Sequence, residues 1–553
     1  MPESRIRCFD RSRLRGALAV LLVLGISVAS VAVRHRCEAE RWSKNDRHHL
    51  PGFDAFVYVA MAEAPTVFTV APWGYRVLSP WLARAAGREG VVPGFQWLAL
   101  IALSVAGPLF FAWLRLRGHA APAAALATVA FYWTPPVGAV FFNPFMAEPI
   151  GIVLLLWLLI ALERRSPGPL LALGLALGAL TKDVFVLLLP GFALALVARW
   201  GGGPGARWFG LSALPALVTA LSLRLAWPGP RPEGPASLSV GAVLAALDRI
   251  VGAVGEWWAP LFVSGFPLAL VGALRPRGRE LLRSHGLLLA TALALPFGAA
   301  VYTGDALPAS QFYADDVPRL LAYALPILLC LSLAAFSARP ASQREPPRPG
   351  PARRGLGVVA WGAAVAAALA PLLALDPYQR EDLQGRNDGH LVLAFCRQSQ
   401  AFARRLARGR LVSYEPEQRR YLRGSSDPVH MERMRWFLRE GWGPAPHYGM
   451  GRAIMRDAAA AVIVPCFEPR DLAMAIRLSA PRPVGVALEM NGRSLGALEI
   501  GPDSPRNDLQ VPASSLFRGD NRLRLLAAEP GAEVRLELLN LRLLEAEPPA
   551  GGR

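Results

Sequence analysis

Long apolar runs dominate the first 375 residues and constrain the fold more than any other feature. A helix needs about 20 mostly apolar residues to cross a bilayer. Runs of about this length, some shorter, cover eleven segments: 14–33, 95–114, 120–142, 145–162, 170–181, 184–198, 207–227, 258–274, 287–303, 318–336 and 356–375. Charged residues are only 18% of the 553 residues, against about 25% in soluble domains. This composition excludes a disordered chain and a small disulfide-rich protein, and it predicts a polytopic α-helical membrane protein with about 11 transmembrane helices.

The positive charge follows the loops between these runs. The net charge of +18 comes from 59 basic and 41 acidic residues, but no nucleic-acid-binding motif accompanies it, so nucleic acid is not an expected partner. Arginines near the ends of membrane helices mark cytoplasmic loops. The loops predicted to be cytoplasmic carry Arg115 and Arg117, Arg164 and Arg165, Arg199 and Arg207, Arg275 to Arg283, and Arg339 to Arg354. They alternate with external loops if the N-terminus is cytoplasmic.

One apolar stretch, 170–198, is interrupted at Thr181-Lys182-Asp183. Each half is short for a full crossing, so the stretch is either a hairpin of short helices or one long helix. A single helix would invert the membrane orientation of every later helix and place the later arginine-rich loops on the external side, against the positive-inside rule. We therefore favour the hairpin.

The composition divides the chain into a transmembrane domain, 1–375, and an external C-terminal part. The first loop, 34–94, is long and external. A polar, partly helical connecting region covers 376–458, a β-sandwich domain covers 459–546, and 547–553 is a tail. The strand evidence is alternation of apolar residues at Leu472 to Leu478, Val484 to Met490 and Val534 to Leu538. Asn491-Gly492 predicts a two-residue hairpin, and a turn is expected at Gly519 to Leu523.

Cysteines do not define this fold. Five are too few for a disulfide framework. Cys396 and Cys466 both face the external side and could pair, although unpaired thiols are the simpler interpretation.

The first external loop carries the residues best suited to catalysis. Asp54 adjoins an amphipathic segment, 53–61, that is expected to lie in the membrane interface and hold the carboxylate at headgroup depth. Arg76 follows in the same loop. The carboxylate could take a proton from an acceptor hydroxyl, and the guanidinium could stabilise a phosphate leaving group. The alternative is structural: Asp54 caps a helix and Arg76 extends its charge to the interface.

Further charged residues lie within or beside the apolar runs, where they are expensive and mark candidate sites. Glu148 lies at the external rim of a run and is a candidate for acceptor binding, or a carboxylate that points to water. Lys182 could meet a lipid phosphate or Asp54, or lie at a solvated hairpin tip with Asp183. Arg319 follows Asp316 and could bind phosphate or anchor a helix at the interface.

Several short strings together resemble the GT-C superfamily of membrane glycosyltransferases, which use polyprenyl-phosphate sugars. The strings are Asp54-x-x-x-Tyr58-x-x-Met61-Ala62, Tyr75-Arg76-Val77-Leu78-x-Pro80, Thr181-Lys182-Asp183 and Asp316-x-x-Arg319-Leu320. The resemblance covers about residues 1–375 and implies a GT-C-like fold in a bacterial inner membrane, with a cytoplasmic N-terminus. The C-terminal extracytoplasmic α/β region ends in strands that resemble a carbohydrate-binding jelly roll. A paired acidic motif seen in several branches is missing, so the cofactor is unknown, and the sequence neither requires nor excludes a divalent metal.

The resemblance implies an inverting transfer of a sugar from a polyprenyl-phosphate donor to an extracytoplasmic glycan, lipid or protein acceptor. Asp54 is then the expected catalytic base, and Arg76, Lys182 and Arg319 bind the donor phosphate. Auxiliary or acceptor roles fall to Glu148, Asp183, Asp316, Tyr58 and Tyr75. Two alternatives stay open: a polysaccharide polymerase or ligase with a lipid-diphosphate donor, and a non-enzymatic flippase or transporter of lipid-linked glycans. A transporter is expected to have matching broken helices in two halves, and only one break is visible.

Overall fold

The chain forms two compact units, one mostly helical and one built on strands. The helical unit is Met1–Pro65 with Pro72–Leu375, and the strand unit is Thr66–Ala71 with Asp376–Arg553. This computed structural model describes residues 11–42, 52–67, 73–88, 90–163, 167–226, 241, 244, 247–248, 254–303, 317–336, 354–375, 389–414, 437–438, 441–442, 453–455 and 457–544. Predicted site residue Asp316 lies outside these ranges.

Helices cover the apolar runs of the helical unit. The helices are α1 (Arg11–Trp42), α2 (Gly52–Glu63), α3 (Leu78–Ala86), α4 (Val91–Leu116), α5 (Ala121–Trp133), α6 (Pro135–Phe142), α7 (Glu148–Glu163), α8 (Pro167–Thr181), α9 (Val184–Leu187), α10 (Leu189–Trp200), α11 (Gly202–Ala226), α12 (Val254–Val263), α13 (Phe266–Leu274), α14 (Pro276–Thr303), α15 (Leu325–Ala335) and α16 (Arg354–Ala374). Within the described ranges, four helices are long and apolar enough to cross a membrane: Leu18–Cys37, Val91–Leu116, Gly202–Ala226 and Pro276–Ala299. The other runs form shorter helices.

Helices α5 and α6 form one apolar stretch with a bend of 51°. The bend lies at Thr134, whose backbone is extended (φ −75°, ψ 149°) because Pro135 follows and disfavours helical geometry at the preceding residue. Arg34 of α1 donates from Nη2 to the Thr134 carbonyl over 3.4 Å and lies above the Trp133 ring. Counted as one span, the pair makes a fifth candidate crossing.

The helical unit has two polar ends. Helices α4 and α7 run parallel, since Phe95 contacts Phe145 at their beginnings and Arg117 pairs with Glu163 over 3.1 Å at their ends. Glu163 also pairs with Arg199 over 2.8 Å. The 26 residues of α4 separate the two ends by about 39 Å at 1.5 Å per residue. Two of the arginines predicted to be cytoplasmic therefore meet at the Glu163 end.

The chain reverses direction between α8 and α10. Helix α8 runs parallel to α11, because Ser212 donates to the Gly168 carbonyl over 3.0 Å near one end and Arg224 pairs with Asp183 near the other. Helix α10 packs against α11 and joins it through the single residue Gly201, whose positive φ of 83° permits a tight turn. Helices α8 and α10 are therefore antiparallel, as the hairpin interpretation of 170–198 requires.

Helix α2 is buried on every side. The sequence predicts an interfacial helix with one polar face, but each residue of 55–62 is buried. The prediction was wrong because the segment is apolar around its whole circumference after Asp54, and such a helix belongs inside a packed unit.

The strand unit contains two antiparallel sheets. Its strands are β1 (Val412–Tyr414), β2 (Ala453–Met455), β3 (Ala459–Cys466), β4 (Leu472–Ser479), β5 (Val484–Met490), β6 (Arg493–Ile500), β7 (Asn507–Val511), β8 (Gly519–Ala527) and β9 (Val534–Leu543). One sheet has the order β1-β9-β4-β7 with β2 also paired to β9, and the other has the order β3-β8-β5-β6. The connecting region 376–458 thus supplies β1 and β2 to the first sheet.

The predicted hairpin is present at Asn491-Gly492. Both residues have positive φ, 52° and 80°, which is the geometry of a type I′ turn. Strands β4 and β5 bury the alternating residues that the sequence predicts, from Leu472 to Leu478 and from Val484 to Met490.

Strand β9 and the expected turn at Gly519 to Leu523 differ from the prediction. The pairing register between β4 and β9 shifts after Arg477. Arg477 is opposite Leu538 but Leu478 is opposite Leu536, so Glu537 is an extra residue in β9. This bulge changes the strand's phase, and Leu539 is buried in place of Leu538. Residues Gly519 to Leu523 are not a turn. They begin β8 and pair with β3.

Helix α17 (Gly389–Ala407) packs on β3 and β9. Its buried Ser399 donates to Asp520 Oδ1 over 2.6 Å. Cys396 and Cys466 are both buried and form no disulfide with each other. Burial raises the pKa of the Cys466 thiol to about 11.

A substitution at Asn521 tests how much a buried, hydrogen-bonded side chain stabilises the strand unit. The Asn521 side chain is buried, donates to the Val464 and Phe517 carbonyls over 3.2 and 2.9 Å, and accepts from Asn491 over 2.8 Å. Each buried polar group left unpaired costs about 1–3 kcal/mol, so Asn521→Ala should lower the unit's unfolding free energy by about 3 kcal/mol or more. Temperature-dependent proteolysis of the full-length chain measures this. Asp508→Ala, which removes an exposed pair with Arg506, should change stability by less than about 0.5 kcal/mol, and equal losses would contradict the prediction.

Candidate functional site

Predicted site residues from five separate segments of the helical unit meet in one polar cluster at the end opposite Glu163. Helix α2 contributes Asp54 and Tyr58, and Arg76 follows a 3₁₀ turn, Trp73–Tyr75. Glu148 begins α7, where the positive end of the helix dipole favours a carboxylate. Lys182 and Asp183 lie between α8 and α9, and Arg319 lies in a helical turn at 317–321. The cluster thus includes every predicted site residue that the structure describes.

The inner part of the cluster is a buried carboxylate with two cations. Glu148 is 0% exposed. Its Oε1 accepts a short hydrogen bond from Lys182 Nζ and lies 3.4 Å from Arg319 Nε. Lys182 and Arg319 are themselves buried. Lys182 therefore pairs with Glu148 and is not at a solvated hairpin tip.

The outer part is a carboxylate between two guanidinium groups. Arg76 Nη2 lies 3.5 Å from Asp183 Oδ2, and Arg224 Nη2 pairs with Asp183 Oδ1. The Arg224 guanidinium also lies over the Tyr75 ring, 4.9 Å from its centroid, a distance suited to a cation–π contact. The Asp183 and Arg224 side chains are 31% and 41% exposed, so this part of the cluster is open to solvent and the inner part is closed.

Tyr58 bonds to Arg76 and lies on the same face of α2 as Asp54. Arg76 Nη1 donates to the Tyr58 hydroxyl over 3.0 Å. Asp54 is four residues before Tyr58 on α2, so both lie on one face of the helix, and Asp54 interacts electrostatically with Tyr58 and Arg76. Burial raises the pKa of Tyr58 to about 12, so its hydroxyl is neutral near pH 7. Asp54 is half-buried.

The charges in the cluster nearly balance. Among the residues that the structure describes, four cations, Arg76, Lys182, Arg224 and Arg319, face three carboxylates, Asp54, Glu148 and Asp183, so these described groups carry a formal excess of one positive charge. A cluster with more cations than carboxylates, open on one side, is suited to an anionic ligand.

Sequence reasoning missed two members of the cluster. Arg224 had a detectable signal, because it interrupts the end of the apolar run 207–227. Tyr323 had none, since a tyrosine within an apolar run near a membrane surface is ordinary. It is 1% exposed and interacts electrostatically with Glu148 and Arg319.

No group of three His, Cys, Asp or Glu side chains suited to a metal ion occurs among the residues that the structure describes. Neither the known protein-family profiles nor the sequences of curated proteins match this chain.

The two halves of the cluster should differ in their contribution to stability. Lys182→Met removes one of two cations from a fully buried carboxylate, and breaking a buried pair costs about 3–5 kcal/mol. Arg224→Met removes a half-exposed partner of Asp183 and should cost about 1 kcal/mol or less. Thermal unfolding in detergent micelles, followed by the loss of the helical circular-dichroism signal, measures both. An equal fall in Tm would show that the inner pair is no more stabilising than the outer one.

Proposed function

We propose that the chain transfers a sugar from a polyprenyl-phosphate donor to an extracytoplasmic acceptor, as a GT-C-type inverting glycosyltransferase. One observation carries the proposal: Asp54, Arg76, Glu148, Lys182, Asp183 and Arg319 converge from five segments on one cluster, in which the cations outnumber the carboxylates among the described residues. Scattered interfacial anchors have no reason to converge in this way. The partners are the lipid-linked donor, an acceptor glycan, lipid or protein, and membrane lipids.

In the proposed reaction the acceptor oxygen attacks the anomeric carbon from the face opposite the lipid phosphate. The bond from that carbon to the phosphate oxygen breaks, and the phosphate leaves with the electron pair. Asp54 takes the acceptor's proton. Arg76 and Lys182, with Arg319, stabilise the charge that develops on the phosphate.

The other two carboxylates are less suited to the role of base. Glu148 is fully buried and holds Lys182 and Arg319, and Asp183 holds two guanidinium groups. Cations that stabilise the charged form make a carboxylate a poorer proton acceptor. Asp54 is half-buried and begins a helix beside the open part of the cluster. Glu148 is accordingly assigned to positioning.

The proposed architecture is about eleven transmembrane helices with a cytoplasmic N-terminus, in the inner membrane of a bacterium. The site then lies at the external end, and the Glu163 end, with Arg117 and Arg199, is cytoplasmic. The two antiparallel sheets of the C-terminal unit are proposed to pack as a jelly-roll-like sandwich that holds the acceptor glycan outside the cell.

A lipid-diphosphate donor, as used by a polymerase or ligase, is the second candidate. The observation that favours it is the presence of two adjacent cation pairs, Lys182 with Arg319 and Arg76 with Arg224. Two pairs match two phosphate groups. Release of a lipid monophosphate or a lipid diphosphate during transfer distinguishes the two donors.

The topology predicts that Arg553 is external. A reporter that is active only outside the cytoplasm, fused after Arg553, should be active, and the same reporter fused after Arg199 should be inactive because the positive-inside rule places that loop in the cytoplasm. Enzyme activity of both fusions at matched expression measures this. An inactive fusion at Arg553 would contradict the proposed side of the site.

The role of Asp54 gives the direct test of the proposed function. Asp54→Asn keeps the side chain's size but removes the basic oxygen, so sugar transfer should slow by about 10²–10⁴-fold while the protein still folds. Asp54→Glu should restore little activity because the added methylene moves the carboxylate by about an ångström. The measurement compares envelope glycans of a deletion strain with those of strains that carry each variant.

Asp508→Asn is the matched control for Asp54→Asn, since Asp508 is exposed in the strand unit. It should restore the glycan as the parent chain does. The proposal fails if the deletion strain loses no glycan. If the Asp54→Asn chain restores that glycan at the parent rate, only the assignment of Asp54 as the base is contradicted.

A further inference from the structure

The inner part of the cluster contains a buried acceptor and a buried donor that have no hydrogen-bond partner among the described residues. They are Glu148 Oε2 and the Tyr323 hydroxyl, and the two residues are 0% and 1% exposed. A buried polar atom without a partner costs about as much as a lost hydrogen bond, so such atoms call for an explanation. Here both occur in the same cluster, and one is an acceptor and the other a donor.

The backbone of α7 places Glu148 and the Tyr323 hydroxyl on the same face of that helix. Gly151 lies three residues after Glu148 on α7, on the same face of the helix. The Tyr323 hydroxyl occupies the space that a Cβ on residue 151 would fill, so only glycine admits it there. Tyr323 also interacts electrostatically with Glu148. A rotation of the Glu148 carboxylate about its own side chain is therefore the motion that would pair Oε2 with the Tyr323 hydroxyl.

We propose that Glu148 is an exchangeable counter-ion and that Tyr323 is the positioning residue that makes the exchange favourable. This inference rests on the proposed function. In the resting state Glu148 holds Lys182 and Arg319. When the donor phosphate binds, Lys182 turns to the phosphate, Glu148 keeps Arg319, and Tyr323 donates its hydroxyl hydrogen to Oε2.

The exchange balances in both hydrogen bonds and charge. Glu148 loses the Lys182 donor and gains the Tyr323 donor, so a fully buried carboxylate never has fewer than two partners. The donor's phosphodiester carries one negative charge, which replaces that of Glu148 beside Lys182. Without Tyr323, release of Lys182 would leave the buried carboxylate short of a donor and would oppose binding.

The test measures binding of farnesyl phosphate, a short-chain lipid phosphate, to the full-length protein in detergent micelles. Tyr323→Phe should raise its Kd about tenfold, the effect expected for a lost hydrogen bond to a charged group. The Tm without ligand should not fall, because in the resting state the hydroxyl has no hydrogen-bond partner among the described residues. In a Glu148→Gln background the same substitution should no longer change the Kd, because the displaced charge is absent.

Tyr132→Phe is the matched control. The Tyr132 hydroxyl is buried and donates to the Leu103 carbonyl over 2.7 Å, so its removal should lower the Tm and leave the Kd unchanged. Tyr323→Phe with the parent Kd, or with an equal weakening in the Glu148→Gln background, would overturn the inference and leave the proposed function standing. If the parent protein does not bind farnesyl phosphate, or binds it as well after Lys182→Ala, the proposed donor class fails and this inference fails with it.

Discussion

The interaction on which the helical unit depends is the buried carboxylate of Glu148 with Lys182 and Arg319. Burying a single charge costs several kcal/mol even after the protein relaxes, so each of the three is tolerable only with the others in place. The three residues come from the beginning of α7, the end of α8 and the turn before α15. These two ion pairs therefore fix where the three segments meet. It also explains why Lys182, one of only two lysines in the chain, lies within an apolar region.

Solvent exposure increases across the cluster from its inner part to its outer part. Glu148 is closed off, whereas Asp183 and Arg224 are partly exposed. A buried ion pair is weak evidence for stability, since an apolar replacement often serves as well. In the proposed function the buried charge serves the binding of an anionic ligand, because the cations outnumber the carboxylates among the described residues of the cluster and its outer part is open to solvent. The proposed function makes that ligand a lipid phosphate.

Sequence reasoning predicted helices over the apolar runs and most residues of the polar cluster, because apolar runs and isolated charges are local signals. It placed Asp54, Arg76, Lys182 and Arg319 in one region only through order along the chain and a family resemblance. It did not predict that Lys182 pairs with Glu148, since partners 34 residues apart are chosen by packing. The sequence also did not indicate the bulge at Glu537, because apolar residues around it occupy both of the alternating sets of positions in β9.

The burial of α2 changes how the site is held. An interfacial helix would place Asp54 by a balance of lipid and water, with the depth free to vary. A helix buried from Ala55 to Ala62 is fixed by contacts on every side, and protein interiors pack too densely for it to shift. Tyr58 transmits that position to Arg76 through its hydroxyl. Groups that stabilise a transition state are effective when they need not reorganise as charge develops, so the apolar sequence of α2 is itself a requirement of the proposed chemistry.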